Sequence, residues 1–411
     1  MTRFQPEARP ASSPDQTALD AFVATFGGSP AVLARAPGRV ELLGNHTDYN
    51  GGLVLAAAID RDTVVVGRRR EDRQAEVRSA NLDEFEAFSV DALEPGPVGD
   101  WGRYVRGVAW ALQERDGPLA AGFEAALAGA VPIGAGLSSS ASLQAAVALF
   151  LLAAGLVPGG ASERLDDAAR MALAHTLRRS ENAFVGVNSG LLDQFSTLFG
   201  RAGHALRLDC LTLDYERVPL GTPAPAIVVC DSKTSRRLAD GMYNRRREEC
   251  ERVVDYFRGL KGDQAVRLLR DVTLDELREH WDRLDPVGRL RARHVLTEND
   301  RVRRGAEALK AGDVATFGRL MSASHASSRD DFANSSAALD ALIEAAEAAP
   351  GFLGGKLSGA GWAGCTVNLV AAGRAEAFAE AVSRGYARAT GVEPAVHICH
   401  AADGASGRVF N

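Results

Sequence analysis

Cysteine is scarce and scattered. The 5 residues, Cys210, Cys230, Cys250, Cys365 and Cys399, lie far apart, are odd in number and form no Cys-x-x-Cys pair. That spacing offers neither a disulfide framework nor a thiolate metal site, and it fits a reducing cytoplasm. Long apolar runs are also missing. The longest, Leu143 to Val157, is broken by Gln144 and Gly155, is short for a membrane span and reads as a buried helix. Residues 1–20 are polar and carry none of the apolar core of a secretory signal. Nor is there an excess of basic residues: 47 Lys and Arg against 53 Asp and Glu give a net charge of −6. This balance argues against a nucleic-acid surface. The triplets Arg68 to Arg70 and Arg245 to Arg247 read as solvated faces. Neither nucleic acid nor membrane is therefore expected as a partner. Internal repeats, long low-complexity segments and the Gly-Lys-Ser/Thr ending of a Walker A loop are absent.

What is present describes a soluble globular chain, with 46% hydrophobic and 24% charged residues. Its 411 residues exceed one ordinary core, so two domains are expected, 1–204 and 205–411. Strand-like runs stand at Val32 to Ala36, ending at Pro37-Gly38, and at Leu53 to Ile59, Asp62 to Arg68, Glu76 to Ser79, Phe85 to Val90 and Gly122 to Ala130. Helical patterns cover Ala18 to Phe26, Trp101 to Arg115 and Ser162 to Phe184, the last with Ser162 as its expected N-cap. Beyond Gly200, strands at Ala205 to Asp209, Tyr215 to Pro219 and Ala226 to Cys230 precede long helical stretches at Tyr243 to Gly259, Leu274 to Leu284, Leu290 to Ala311 and Val314 to Arg329. Gly364 to Ala371, Gly373 to Gly385 and Val396 to His400 read as strand, helix and strand. No regular βαβ alternation emerges, which predicts an α+β fold.

Four segments carry polar chemistry. The first is Val131 to Ala146, Val-Pro-Ile-Gly-Ala-Gly-Leu-Ser-Ser-Ser-Ala-Ser-Leu-Gln-Ala-Ala. A glycine-serine loop that opens an apolar helix presents free backbone N–H groups and the positive end of the helix dipole, a cradle for phosphate. The same letters also suit a plain glycine turn before a core helix. The second is the polar loop Gly44 to Gly52, which offers Asn45, His46, Asp48 and Tyr49 within one turn of chain; such a cluster can grip sugar hydroxyls, and the same letters also suit an Asn/Asp/Gly hairpin loop. The third runs from Gly186 to Phe195, with Glu181 upstream and Asp193 among apolar neighbours, either a partly buried functional group or an exposed point on an amphipathic helix. The fourth, Lys356 to Thr366, is a second glycine-rich loop placed before a strand.

In this order the segments resemble the galactokinases of the GHMP small-molecule kinase family. The resemblance rests on Pro37-Gly38-Arg39-Val40, Gly44 and His46-Thr47-Asp48-Tyr49-Asn50, on Pro132 to Ser142, on Gly190 to Phe195, on Gly241 to Cys250 and, more loosely, on Leu357 to Cys365. It implies a two-domain GHMP-kinase-like α+β fold, with mixed and antiparallel sheets packed on helices and the active site between the domains. It implies an ATP- and Mg²⁺-dependent sugar 1-kinase, with monomer favoured. By likeness, Asp193 is the catalytic base and Arg39 the charge stabiliser beside it. Asn45, His46, Thr47, Asp48, Gly190 and Tyr243 would bind the sugar. Gly134, Ala135, Gly136, Leu137, Ser138, Ser139 and Ser140 would wrap ATP, and Ser140 with Glu181 would hold the metal.

The chain departs from the family at two points. Asn45 stands where the family usually has Glu, near the sugar's C6. This is either a tolerated near-isosteric swap or a change of specificity toward galacturonate or L-arabinose. Ala360, Trp362 and Ala363 replace the usual Gly, Phe and Gly of the third motif. A non-catalytic sugar sensor of the same family is disfavoured by the intact Ser140-Ala141-Ser142, Asp193 and Arg39.

Overall fold

The computed structural model describes residues 13–159, 165–187, 189–234 and 241–410. The expected N-cap Ser162 and the motif residue Asn188 lie outside them. The first half runs α1 (Pro14–Phe26), β1 (Val32–Leu43), β2 (Leu53–Arg69), β3 (Gln74–Ser79), β4 (Glu84–Ser89), α2 (Gly102–Asp116), β5 (Phe123–Gly129), α3 (Ser139–Ala153), α4 (Asp167–Arg179), α5 (Leu192–Phe199), β6 (His204–Asp209) and β7 (Tyr215–Pro219). Then follow β8 (Ala226–Asp231), α6 (Met242–Lys261), α7 (Leu274–Glu279), α8 (Pro286–Lys310), α9 (Val314–Ser327), α10 (Ala337–Glu347), β9 (Phe352–Leu357), β10 (Cys365–Val370), α11 (Ala375–Thr390), β11 (Ala395–Cys399) and β12 (Ser406–Val409).

Two sheets result. The larger has the order β12-β1-β2-β5-β3-β4, with β6 and β7 attached along the first half of β2; the smaller is β11-β8-β10-β9. All pairings are antiparallel except β3 with β5. The larger sheet therefore continues past residue 204 through β6 and β7, and it recovers β12 from the far end of the chain.

Period-two alternation sorts the strands between layers. In β8, Ile227 and Val229 join a core shared with the larger sheet, α8 and α9, while Val228 and Cys230 face α10 and α11. The shared core also takes Val40 and Leu42 of β1, which anchors the smaller sheet to the larger one. Helix α3 is apolar all round because it sits inside, buried among α2, α5 and the larger sheet.

Three local readings are corrected. β1 does not stop at Pro37-Gly38. It passes through them at an irregularity between Pro37 and Arg39 in its pairing with β2, the kind of position where a strand tolerates proline. Gly38 is required there because a Cβ would meet the Leu137 carbonyl oxygen at 2.7 Å. Leu53 to Arg69 is one bent strand, since β6 supports its first part and β5 its second. Asp166, not Ser162, caps α4, with its side chain accepting from the Ala169 N–H. Helix α10 and strands β9 and β12 escaped the sequence reading. α10 is Ala-rich, Gly354-Gly355 weakens the β9 pattern, and β12 spans only Ser406–Val409.

Candidate active site

Strand β1 points Arg39 and Glu41 to one side while Val40 between them enters the core. Both polar side chains line a cavity of about 580 Å³ together with Asp48, Gly190, Asp193 and Tyr243. At one end of it Arg39 Nε donates to Asp193 Oδ1 at 2.8 Å, and Nη2 lies 2.6 Å from the same oxygen. Arg39 Nη1 donates to the Gly136 carbonyl at 2.7 Å. The Ser138 hydroxyl donates to Asp193 Oδ2 at 2.6 Å. Asp193 stands in the first turn of α5, so its backbone is held by a helix while its side chain remains 27% exposed toward the cavity.

The glycine-serine loop meets this carboxylate from the other side. Gly134 and Gly136 adopt φ of 79° and 75°, and Ser138 adopts 58°. Ala135 and Leu137 are buried in the shared core, so the loop is pinned by side chains and offers a ligand its backbone, its serines and the exposed Ile133. Ser138 precedes α3 but makes no side-chain cap, because its hydroxyl is directed to Asp193. The first N–H groups of α3 are thus uncapped by side chains, and the helix dipole adds positive potential there. Glu181 accepts from Ser189 Oγ at 2.5 Å and Gln194 Nε2 at 2.7 Å, and the nearby Ser140 favours its ionised form. Burial raises the Glu181 pKa, and no cation pairs with it among the described residues. An oxygen-only pair of this kind suits Mg²⁺ that arrives with phosphates and water filling its other positions. Among the described residues no group of three or more His, Cys, Asp or Glu forms a resident metal site. Beside α3 opens an apolar cavity of about 240 Å³ lined by Leu82, Trp101, Tyr104, Ile133 and Leu143. Its aromatic walls suit a flat base, and it escaped the sequence reading because its lining comes from β3, α2, β5 and α3 at once.

The polar loop 44–52 is built to stay rigid. Thr47 N–H donates to the Gly44 carbonyl, and the Thr47 hydroxyl lies 2.8 Å from that oxygen and 2.7 Å from the Leu53 carbonyl. Thr47 is fully buried and does not line the cavity; it ties the loop rather than facing a ligand. Helix α8 clamps the loop from behind: Glu298 accepts from the Gly44 N–H, Asn299 from the Leu53 N–H, and His294 Nε2 lies 3.0 Å from the Asn45 carbonyl. The helix starts cleanly for this task, with Asp285 as N-cap and Pro286 at its first position. These anchors were illegible in the sequence because α8 is some 250 residues downstream of the loop.

Asn45 is consumed by the protein. Its amide NH₂ donates to Glu41 Oε1 at 3.2 Å and to the Gly359 carbonyl at 2.7 Å. Its Oδ1 accepts from Asn334 Nδ2 at 2.9 Å and from Ser328 Oγ at 3.5 Å. His46, at φ 60°, places Nε2 3.0 Å from the Ala360 carbonyl and Nδ1 3.0 Å from the Tyr49 hydroxyl. Burial lowers its pKa to about 3, so the ring is neutral; Nε2–H donates to the carbonyl and Nδ1 accepts from Tyr49. The third motif thus works through backbone carbonyls of Gly359 and Ala360, which tolerate the Ala360 side chain. Trp362, at φ 60°, is held by its N–H to the Asn334 carbonyl at 2.6 Å and by Nε1 to Ala333 at 3.2 Å.

Asp48 approaches Gly190 so closely that a Cβ there would collide with the carboxylate, which explains the glycine. Burial, followed by the nearby Glu41 charge, pushes the Asp48 pKa up to about 6. Tyr243, at the start of α6, packs its ring tilted against His46, with centroids 5.5 Å apart, and edge-on to Tyr49 at 5.3 Å. Chemically, the site joins a polar, acceptor-rich cavity to an open helix N-terminus, with one guanidinium-held carboxylate where they meet. It can accept a proton from a hydroxyl in the cavity while an anion rests on the helix.

Residues 103–201 match the GHMP kinases N terminal domain and residues 306–388 the GHMP kinases C terminal model, which defines the class. Residues 20–69 match the galactokinase galactose-binding signature. A galactokinase of Roseiflexus sp. (strain RS-1) is 44% identical over 95% of this chain and 96% of its own length, and one of Haemophilus influenzae is 36% identical over 95% and 99%. The chain belongs to the galactokinase family. The structure of Lactococcus lactis galactokinase complexed with galactose aligns with a TM-score of 0.86 and 33% identity, covering 94% of this chain and 98% of that one. Methanococcus jannaschii mevalonate kinase aligns at 0.64 with 16% identity over 92% and 99%, a likeness of fold.

Proposed function

We propose that this chain transfers the γ-phosphoryl group of Mg-ATP to the anomeric hydroxyl of galactose. The observation that carries the reading is the carboxylate of Asp193, held by Arg39 and Ser138 between the uncapped start of α3 and the polar cavity. The apolar cavity beside Trp101 and Tyr104 takes the base, and the α3 N-terminus and the glycine loop take the phosphates. Ser140 and Glu181 hold the Mg²⁺ that ATP brings. Asp193 receives the proton of the attacking hydroxyl. Its Oδ1 is occupied by two nitrogens of Arg39, whereas Oδ2 keeps acceptor capacity beyond the bond from Ser138. Arg39 favours the ionised carboxylate and offsets negative charge on the transferring group. Phosphoryl transfer needs little beyond such positioning and neutralisation. His46, Asp48, Gly190 and Tyr243 shape the sugar's seat.

The test is a sugar panel of galactose, galacturonate and L-arabinose with Mg-ATP, the product's phosphate position being read by NMR. Galactose 1-phosphate is the expected main product. Phosphate on another carbon, or ADP release that ignores the sugar, would sink the reading.

A further inference from the structure

The carboxylate that the family carries at position 45 has not vanished from this cavity. Glu41 lies four residues earlier on the same strand-to-loop segment and is 6% exposed. Its Oε1 receives both available donors, Lys356 Nζ at 2.8 Å and Asn45 Nδ2 at 3.2 Å. Its Oε2 accepts nothing among the described residues, yet Glu41 lines the sugar cavity. Lys356, on β9, is fully buried and serves as the counter-ion that lets a carboxylate remain there. Asn45, by contrast, has spent its four hydrogen-bonding positions on Glu41, Gly359, Asn334 and Ser328.

From this geometry, and resting on the proposed sugar-kinase reading, we infer that Glu41 is the specificity-determining carboxylate of this chain. Its Oε2 receives a hydroxyl at the end of the sugar ring opposite the anomeric carbon. Arg39 and Glu41 are two residues apart on one face of β1, hence about 7 Å apart along the strand. With Arg39 at the phosphoryl end, that offset carries Glu41 to the far side of a bound hexopyranose. Asn45 is a positioning residue: it and Lys356 fix Oε1 so that Oε2 turns to the cavity. The loss of charge at position 45 therefore does not open the site to a C6 carboxylate, because Glu41 and Asp48 still meet it with negative charge.

The experiment compares kcat/KM for galactose, 4-deoxygalactose, 6-deoxygalactose and galacturonate in the wild-type chain, in Glu41→Gln and in Glu41→Gln/Lys356→Met. The double variant removes the buried pair together and avoids a stranded ammonium; thermal unfolding checks that it folds. The wild type should prefer galactose over one of the deoxy sugars by about 100-fold or more, as expected when a buried acceptor loses its donor. In the double variant that preference should collapse to within about threefold, through loss on galactose alone, with the KM for ATP unchanged. In Glu41→Gln, which removes the carboxylate charge and keeps the Lys356 amino group, the galacturonate-to-galactose ratio should rise. A folded double variant that retains the wild-type preference overturns the assignment. So does a wild type that treats both deoxy sugars like galactose, a result that needs no variant. If instead the wild type turns over none of these sugars, the kinase reading itself has failed and the assignment falls with it.

Discussion

The two halves of the site are made in different ways. On the proposed reading, the phosphate end of the nucleotide side is local. One loop, 131–140, and the helix after it would supply the phosphate cradle from consecutive backbone groups, with core side chains such as Leu137 pinning it. The sugar side is assembled from distant pieces of chain: β1 and its loop, 186–193, the start of α6, Asn334, and 356–360. Its geometry is held by a buried polar network rather than by a helix end. A local cradle built from main chain resists side-chain replacement, whereas a network is only as good as its most exposed joint. Substitutions on the nucleotide side should therefore produce modest, separable losses. Those on the sugar side should spread.

Asp193 belongs to both halves, through Ser138 of the phosphate loop and Arg39 of β1, so it should give the largest effect. Asp193→Asn keeps the shape and removes the acceptor charge. We expect kcat to fall about 10²–10⁴-fold, the usual weight of a positioned base, while ATP and galactose still bind by calorimetry. A variant with near-normal turnover would take Asp193 out of the proton-accepting role and weaken the contrast between the halves.

A smaller loss isolates the nucleotide side. Ser140→Ala deletes a hydroxyl beside Glu181 and leaves the backbone cradle intact. The KM for Mg-ATP should rise about tenfold, the equivalent of one hydrogen bond of about 1.4 kcal/mol, and the KM for sugar should stay put. Equal damage to both constants would mean that the two sides are not separable at this joint.

The same contrast explains how much could be read before any coordinates. The roles of Arg39, Glu181 and Asp193 came from the family resemblance, whereas the phosphate loop and the polar loop with Asp48 stood out as short segments of unusual composition. The apolar strands were visible for the same reason, as period-two patterns. What stayed hidden was long-range. Nothing near Asn45 announces that Asn334 and Gly359 will saturate its amide, and nothing near Glu41 announces Lys356, since the partners are 289, 314 and 315 residues away. Asn45 lines the cavity with its amide already committed, because a motif is read along the chain while hydrogen-bond capacity is spent across it. The run-on of β1 through Pro37 was hidden for a related reason: the tolerance comes from an irregularity in the pairing with β2, which only the neighbouring strand reveals.

The smallest expected effect is a pH dependence that should also fall on the sugar side. Burial lowers the pKa of His46 to about 3 and that of His294 to about 4, against an ordinary value of 6.5. Both rings bond the 44–52 loop or its partners in neutral form. As pH falls from about 6.5 toward 4, the unfolded chain binds protons that the folded chain refuses, so the stability these residues contribute is progressively lost. Asp48 works in the opposite sense: its pKa, raised from 3.8 to about 6, makes the folded state the better proton binder in that range, and its contribution fades as pH rises through about 6. His325, also lowered to about 4 by burial, joins the two histidines against Asp48 and Glu181, whose pKa values burial raises, so the melting temperature should climb between pH 4.5 and 6.5. His46→Gln should flatten that climb, whereas Ser140→Ala should leave its slope alone. A wild-type melting temperature that is flat or falls across this interval would mean that the buried histidines of the sugar loop are not held neutral, and the rigid network behind the loop would lose its physical basis.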